Sequence, residues 1–83
     1  MMENKDKISY NSKGERHGYW ETYYNSGKLD YKGNYVNGKK DGDWEEYHEW
    51  CGIRFIGNYT NGLKIGVWKT YHHEKLVNET YHA

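Results

Sequence analysis

The chain has 83 residues, in which 12 basic and 12 acidic side chains balance to a net charge of zero. A chain of this length forms one small domain, and a balanced charge provides no net field to attract nucleic acid or an anionic membrane, which disfavours binding led by phosphate contacts. Aromatic residues make up 18% of the chain, as 10 Tyr, 4 Trp and 1 Phe, so the core must consist of large amphipathic rings.

The start of the chain and its cysteine usage indicate a cellular compartment. The first ten residues are polar and charged, so we expect neither a signal peptide nor a membrane-spanning helix there. The single cysteine, Cys51, cannot form an internal disulfide. Together these features favour a cytoplasmic protein.

A three-residue element, Gly-x-Trp, recurs at intervals of 24 residues. Its copies are Gly18-Tyr19-Trp20, Gly42-Asp43-Trp44 and Gly66-Val67-Trp68. A Tyr follows each Trp after three residues, and Gly-Asn-Tyr and then Asn-Gly follow the first two copies. Matches at this many positions indicate a structural repeat. We therefore predict a single domain, residues 1–83, with a leading strand at 8–17, repeats at 18–41 and 42–65, and a partial repeat at 66–83.

Within each repeat the apolar residues alternate with period two, and Gly and Asn separate short runs rich in Trp, Tyr, Thr, Ile and Phe, which is typical of strands and turns. The predicted strands are residues 8–11, 18–24, 29–36, 43–48, 53–60, 67–72 and 76–81. The predicted turns are residues 25–28, 37–40, 49–52, 61–64 and 73–75. Connections this short join antiparallel neighbours, so we predict an all-β meander of about six to seven strands.

The constant repeat length also predicts a register between strands. The pairs that define it are Val36 with Asp41 and Tyr24 with Leu29. This register places a glycine between successive tryptophans, with Gly33 between Trp20 and Trp44, and Gly57 between Trp44 and Trp68. Each glycine would leave room for the flanking indoles to lie across bare backbone. Tyr81 takes the equivalent place beside Trp68.

The same register sorts the side chains onto two faces. The face that carries the tryptophans also receives Leu29, Tyr31, Tyr35, Ile53, Phe55 and Tyr59. The opposite face receives one row made of Glu21, Lys32 and Glu45, and a second row made of Tyr23, Asp30, Tyr47, Arg54 and Tyr71. Opposite charges alternate with each other and with rings, as favourable cross-strand neighbours do, so we expect this second face to be solvated.

The succession of Gly-x-Trp-x-x-Tyr, a glycine-containing turn, Gly-Asn-Tyr and Asn-Gly resembles the bacterial variant of the MORN repeat over about residues 14–72. The resemblance implies a single-layered, elongated, twisted sheet of successive hairpins. It also implies a scaffold for protein contacts, sometimes dimerisation, and in some eukaryotic members an association with membranes or phosphoinositides. Bacterial proteins of this variant are often labelled antitoxin-like. This chain lacks the basic cluster of the lipid-binding style, so we expect no membrane contact.

Trp20, Trp44 and Trp68 are expected to form the core, because each Trp ring buries about 150–250 Å². A one-layer sheet has no second layer to cover its apolar face, and a large exposed apolar patch usually marks an interface. The same three tryptophans, with Tyr31, Phe55 and Tyr59, are therefore also candidates for a partner-binding surface.

Trp50 is a further candidate, because it lies in a predicted hairpin loop where the first repeat has Ser26. The repeat does not require a bulky ring there, and exposed Trp is a preferred interface anchor. Two alternatives stay open, which are contact with a partner and folding back onto the sheet next to Ile53 or Phe55. Its neighbour Cys51 has no nearby feature that would activate a thiol, so we expect it to be inert.

The histidines suggest a zinc site that the geometry disfavours. His48 and His72 occupy equivalent places, and His73 and His82 lie near. Equivalent positions in successive repeats are two strands apart, about 10 Å, which is too far for ligands of one zinc ion. The adjacent His72 and His73 are expected to point to opposite faces. We predict no metal site.

Glu21 and Glu45 are the best carboxylate pair for acid–base catalysis, again about 10 Å apart and with Lys32 between them. A salt-bridged row on a polar face without a pocket explains these residues better. The sequence contains no glycine-rich phosphate loop and no assembled Ser-His-Asp set. We predict a non-enzymatic protein without a cofactor.

The leading functional hypothesis is a protein-binding module that holds a toxin, a nuclease or another bacterial effector through its aromatic face and the Trp50 loop, as an inhibitor, antitoxin or immunity protein. One alternative is a single-stranded nucleic-acid binder, since aromatic rows on a sheet can stack bases, although the neutral charge counts against it. Another is a self-associating module, for example a homodimer that buries two aromatic faces or adds strands at open edges.

Overall fold

The computed structural model describes residues 5–83, and these residues form six strands and no helix. The strands are β1 (Gly18–Tyr23), β2 (Leu29–Val36), β3 (Lys39–Tyr47), β4 (Ile53–Thr60), β5 (Leu63–His72) and β6 (Lys75–His82). All neighbours are antiparallel, and the strand order in the single sheet equals the order in the chain. The predicted all-β meander is confirmed.

The sheet is one layer thick, with Cα extents of 40 × 39 × 11 Å. Its two in-plane dimensions are almost equal, so the elongated shape implied by the family resemblance is wrong for this chain. The reason is the small number of hairpins. The strands have six to ten residues, so their length is about the same as the width of six neighbouring strands with the leading segment.

Across residues 5–83 we find no helix with the length and apolar character needed to cross a bilayer.

The leading segment does not form the predicted strand at 8–11. It contributes two isolated bridges, Lys7 with Glu21 and Tyr10 with Arg16. The Asn11 side chain instead accepts hydrogen bonds from the backbone N–H groups of Lys13 and Glu15, at 2.9 and 3.0 Å, which turns the chain at this point. The segment therefore lies along the outer edge of β1 and covers it.

Tight Asn-Gly turns connect β2 to β3 and β4 to β5. Asn37 and Gly38 have φ values of 47° and 87°, and the second turn has the same pattern, which is the type I′ hairpin turn. Val36 consequently pairs with Lys39, so the predicted pair of Val36 with Asp41 is wrong. β3 and β5 each begin four residues earlier than the sequence pattern indicated.

A β-bulge restores the predicted register further along these strands. Asn34 pairs with Asp41 and Gly33 pairs with Trp44, so two residues of β3, Gly42 and Asp43, have no partner in β2. Gly42, one of the two, has a φ of 80°, and its equivalent Gly66 in β5 has a φ of 68°. The glycine of each Gly-x-Trp element is therefore the bulge residue that re-aims the following tryptophan.

The hairpin loops of the first two repeats close differently. Tyr24 N–H donates to Lys28 O at 2.8 Å around a three-residue loop, and Tyr23 pairs with Leu29 across a bulge. The predicted pairing of Tyr24 with Leu29, and that of Tyr23 with Asp30, are wrong for this reason. In the second repeat the positive-φ glycine comes one position later, the loop has four residues, and the predicted pair of Tyr47 with Arg54 is confirmed.

The last strand is shifted by one residue from the predicted register. Thr70 pairs with Asn78 and Tyr71 pairs with Leu76, so Val77 is an extra residue of β6 without a partner in β5. This bulge places Thr80 opposite Trp68 and Tyr81 opposite Val67. The prediction that Tyr81 lies beside Trp68 is therefore wrong, and the Tyr81 side chain is 75% exposed. β6 is the open edge of the sheet, and all of its residues except His82 are exposed.

The β5–β6 turn is the strained turn of the sheet, because His73 and Glu74 take φ values of 49° and 68° without a glycine. We expect Glu74→Gly to raise the free energy of unfolding by about 1 kcal/mol, since a side chain in the left-handed region costs roughly that much. Thermal unfolding followed by circular dichroism measures the change. Glu74 also pairs with Arg54 at 3.3 Å, so Glu74→Gln is the matched control for loss of its charge. Equal stability of the Gly and Gln variants would contradict the assignment of strain.

The core is a row of five buried rings on one face of the sheet: Trp20, Tyr35, Trp44, Tyr59 and Trp68. Successive rings meet edge to face, with centroids 5.0–5.7 Å apart, and Tyr31 stacks on Trp44 at 5.0 Å. Edge-to-face contacts of this kind add about 0.5–1.5 kcal/mol per pair beyond the burial of apolar area. The row replaces the second layer that larger domains use to enclose a core.

The predicted packing of tryptophan on glycine is present in a one-sided form. Trp20 and Trp44 both pair with Gly33, but the ring that lies over Gly33 is that of Trp44. Trp68 covers Gly57 in the same way. Each indole N–H then donates to the carbonyl of the residue after the glycine, from Trp44 to Asn34 O at 3.2 Å and from Trp68 to Asn58 O at 3.1 Å. Each indole is thus satisfied while buried.

Candidate protein-interaction site

The predicted binding residues divide into buried and exposed groups. Trp20, Trp44, Trp68 and Tyr59 are between 1% and 7% exposed, so a partner cannot reach their rings directly. Tyr31 is half-buried against this cluster. Phe55 is 39% exposed and Trp50 is 70% exposed. The residues of this set with a ring open to solvent are therefore Phe55 and Trp50.

Three cations cover the outer side of the buried rings. Arg16 lies over Trp20 and Tyr35, at 5.3 and 5.4 Å from the ring centroids. Lys40 lies over Trp44 and Tyr59 at 4.7 and 5.0 Å, and Lys64 lies over Trp68 at 4.8 Å. These three cations, which we call the cation row (Arg16, Lys40 and Lys64), were not predicted from the sequence. The sequence does contain a pattern that marks them, because a basic residue lies two positions before every Gly-x-Trp element.

The opposite face carries the predicted row of alternating charges. Glu21 pairs with Lys32 and Lys32 with Glu45 in the strand register, and the Lys32 Nζ to Glu45 Oε2 distance is 3.5 Å. Arg54 lies between Tyr47 and Tyr71 in the register and 4.7 Å from the Tyr71 ring centroid. These pairs are partly exposed, so each contributes little to stability. They explain the two carboxylates, Glu21 and Glu45, as cross-strand partners of lysine.

Glu21 is bonded by two phenols, Tyr19 and Tyr23. Tyr19 Oη donates to Glu21 Oε1 at 2.5 Å, and Tyr23 Oη donates to the other carboxylate oxygen. These hydrogen bonds lower the pKa of Glu21, and the bond to Glu21 raises the pKa of Tyr19 to about 12. The three side chains hold one another in place on the surface of β1.

This cluster predicts a measurable titration. The folded state raises the pKa of Tyr19, so the hydrogen bond from Tyr19 to Glu21 stabilises the fold fully below pH 10. This contribution is lost as the pH rises through about 12. Because the folded state lowers the pKa of Glu21, the contribution of the Glu21 carboxylate to stability is lost in acid.

We expect Glu21→Gln to return the Tyr19 pKa toward 10 in a spectroscopic phenol titration. Glu45→Gln, which leaves Tyr19 its hydrogen bond, is the control, and a Tyr19 pKa that stays near 12 in Glu21→Gln would contradict the assignment.

The polar face has a shallow depression of about 280 Å³, whereas the sequence indicated a face without a pocket. Its lining residues are Tyr19, Lys32, Gly33, Asn34, Asp43 and Glu45. Asp43, one of the two bulged residues of β3, lies in this lining. The depression is open, and Glu45 is already engaged by Lys32 and by the Tyr47 hydroxyl at 2.6 Å.

The histidines adopt one arrangement that was predicted wrongly. The rings of His72 and His73 are 4.4 Å apart and do not point to opposite faces, because His73 leaves the strand with a positive φ. The ring of His73 lies against Gly52 of the neighbouring turn, and the backbone N–H of His73 donates to Gly52 O at 2.9 Å. Among residues 5–83 no group of three potential ligands lies close enough together to hold a metal ion.

The Trp50 loop (residues 49–52) connects β3 to β4 and carries an exposed aromatic ring. Trp50 does not fold back onto Ile53 or Phe55, since 70% of its surface is open to solvent. Lys28 from the adjacent loop lies over the indole at 4.7 Å from its centroid and donates to Glu49 O at 3.1 Å. These contacts orient the indole while leaving most of it uncovered. Cys51 beside it is exposed and free.

No protein-family model matches this chain, and no curated protein matches it significantly.

Proposed function

We propose that this chain is a non-enzymatic protein-binding module whose main anchor is Trp50. The observation that carries the proposal is the exposure of this indole, 70%, in a loop where the repeat needs only a small residue. The other three tryptophans are buried and form the core, whereas the exposed Trp50 has no such role in the fold. Interface hot spots are enriched in Trp, and binding buries the area that folding left open.

The surroundings of Trp50 support this role. The loop is held to its neighbours on both sides, by Lys28 on one side and by the contact of His73 with Gly52 on the other. An aromatic anchor that is already oriented loses less conformational freedom when a partner binds, which favours affinity. Trp50 also lies at an end of the sheet, where a partner can approach without displacing a strand.

We further propose that the partner is a bacterial toxin, nuclease or defence effector and that this chain inhibits it as an antitoxin or immunity protein. What supports this proposal is the 24-residue repeat, which resembles the bacterial MORN variant, together with the small size of the domain. We also propose a cytoplasmic location, since the chain has a single cysteine, Cys51, which is free and exposed. Fold and composition alone do not identify a partner, so the test must involve the protein that is encoded beside it.

The test is a binding measurement with Trp50→Ala. We expect Trp50→Ala to weaken binding to the purified product of the neighbouring toxin or nuclease gene by about 30-fold or more, the equivalent of about 2 kcal/mol for an interface hot spot. Calorimetry measures the affinity, and thermal unfolding checks that the sheet is intact. Leu63→Ala is the matched control, because Leu63 is also 70% exposed but lies at the other end of the sheet. Equal affinity of wild type and Trp50→Ala for a bound partner would refute the anchor.

A second candidate is self-association through β6. This strand is the open edge, and Leu76, Val77 and Tyr81 on it are 49%, 57% and 75% exposed. The opposite edge is covered by the leading segment, so pairing of two β6 strands would close as a dimer and would not continue into a filament. Light scattering at increasing protein concentration decides this point, and a constant monomer mass would eliminate the dimer.

A further inference from the structure

We infer that the cation row (Arg16, Lys40 and Lys64) is a second binding surface, which takes an acidic polypeptide segment in the polyproline II conformation. The row lies beyond the start of β1 and at the starts of β3 and β5, whereas the Trp50 loop follows the end of β3. The two surfaces are therefore at opposite ends of the strands. The inference goes beyond the proposed function, and failure of either surface leaves the other standing.

The first step is the charge that this face carries. The chain is neutral overall, but the three cations share the face of the buried rings. Arg16 and Lys64 are exposed, and among residues 5–83 no carboxylate oxygen lies within 4.0 Å of their nitrogens. Lys40 is the exception, since its Nζ lies 3.6 Å from Glu46. The aromatic face therefore carries two cations, Arg16 and Lys64, that no carboxylate among the described residues neutralises, and their charge attracts anions.

The second step is that the cations are held in place. Each one rests on one or two rings at 4.7–5.4 Å, and Arg16 Nη1 also donates to Tyr35 Oη at 3.4 Å. The backbone supports the same residues, because Arg16 O and Lys40 O accept the N–H groups of Gly38 and Gly62 at 2.8 and 2.9 Å. Long basic side chains normally lose much rotamer freedom on binding. Here the rings have already restricted that freedom, which favours binding by these cations.

The third step is the spacing. The three cations occupy equivalent positions of successive repeats, so they are two strands apart, about 9.4–9.8 Å. A polyproline II helix has three residues per turn and a rise of 3.1 Å per residue, so every third residue returns to the same face after about 9.3 Å. In an extended β-strand, residues three apart point to opposite faces. In an α-helix, seven residues rise about 10.5 Å and drift about 20° around the axis. The polyproline II spacing fits best.

Single-stranded nucleic acid is the less favoured ligand for this face. Nonspecific binders of single strands stack bases on aromatic side chains, but the rings here are 1–7% exposed and lie beneath the cations. Three cations also neutralise few phosphates, and phosphate contacts provide most of the affinity for nucleic acid. An acidic peptide needs only the three charges and their spacing.

The test uses a labelled peptide of four Pro-Pro-Glu units and a control peptide of the same composition with its four Glu residues contiguous. We expect fluorescence anisotropy to show salt-sensitive binding of the first peptide and at least tenfold weaker binding of the second. Lys64→Gln should weaken binding of the first peptide by about fivefold or more, whereas Lys64→Arg should retain it. Lys69→Gln on the polar face should leave the affinity unchanged.

Three results would overturn the inference. The first is no binding of the spaced peptide at low salt by a folded protein, with circular dichroism as the check of folding. The second is equal affinity for the two peptides, since the spacing would then have no role. The third is tighter binding of an oligothymidylate than of the spaced peptide, which would assign the face to nucleic acid. Because none of these measurements involves Trp50, their outcome is separate from that of the partner-binding experiment.

Discussion

Trp44→Ala is expected to lower the free energy of unfolding by about 3–5 kcal/mol, the usual range for removing a buried Trp ring. Trp44 is 1% exposed and lies at the centre of the ring row, where it meets Tyr31, Tyr35 and Tyr59. Its indole N–H also bonds Asn34 O, so the change leaves a carbonyl without its donor. A domain of this length has a total stability of roughly 4–12 kcal/mol at 0.05–0.15 kcal/mol per residue. The substitution should therefore remove much of it.

Urea unfolding followed by circular dichroism measures this loss, and Trp50→Ala is the matched control. It removes the same side chain from a site that is 70% exposed, so we expect a change within about 0.5 kcal/mol. The contrast between the two variants separates the core tryptophan from the surface tryptophan within one protein. Similar losses for both would show that the exposed indole is part of the core, which would remove the basis for its role as an anchor.

Gly33→Ala is expected to destabilise the sheet by about 1–3 kcal/mol, because it overfills the space between backbone and indole. A Cβ atom built on Gly33 would lie 2.5–2.7 Å from three ring atoms of Trp44, closer than van der Waals contact allows. The ring cannot shift freely, since tyrosines meet it and its N–H is bonded to the backbone. Gly33 does not have a positive φ, so the loss would measure the steric contact alone.

A double-mutant cycle isolates this contact. We expect Gly33→Ala to cost much less in a Trp44→Leu background, because a Leu side chain at position 44 does not reach across the glycine as an indole does. The coupling energy from urea unfolding of the four proteins is the quantity to compare. A coupling near zero would mean that Trp44 and Gly33 do not depend on each other.

The pairing of tryptophan with glycine followed from the sequence, because a constant repeat of 24 residues can bring Gly33 opposite both Trp20 and Trp44 in an antiparallel meander. The turns did not follow as readily. A four-residue turn and a two-residue turn combined with a bulge use the same number of residues, and both return the chain to the same register. Gly42 supplies the positive φ of the bulge, but a glycine at that position fits either solution.

At the candidate site, too, some features could be predicted from the sequence and others could not. The sequence identified Trp50 as the tryptophan that the repeat does not require, and it identified the rings that form the core. It did not show that Arg16, Lys40 and Lys64 cover those rings, because two of these cations, Arg16 and Lys40, also contact a tyrosine on the next strand. Contacts between strands depend on the final register, which bulges and loop closures set.

The sequence by itself determined the all-β meander, its 24-residue period and the tryptophans and tyrosines that share the buried face, because period-two alternation is a local property of the chain. Only the tertiary structure decided which surfaces reach solvent. The aromatic face is closed by edge-to-face packing and by the cation row, the edge at β1 is covered by the leading segment, and Trp50 stays open beside Lys28. Exposure depends on neighbours that are distant in sequence, so the repeat alone could not reveal it.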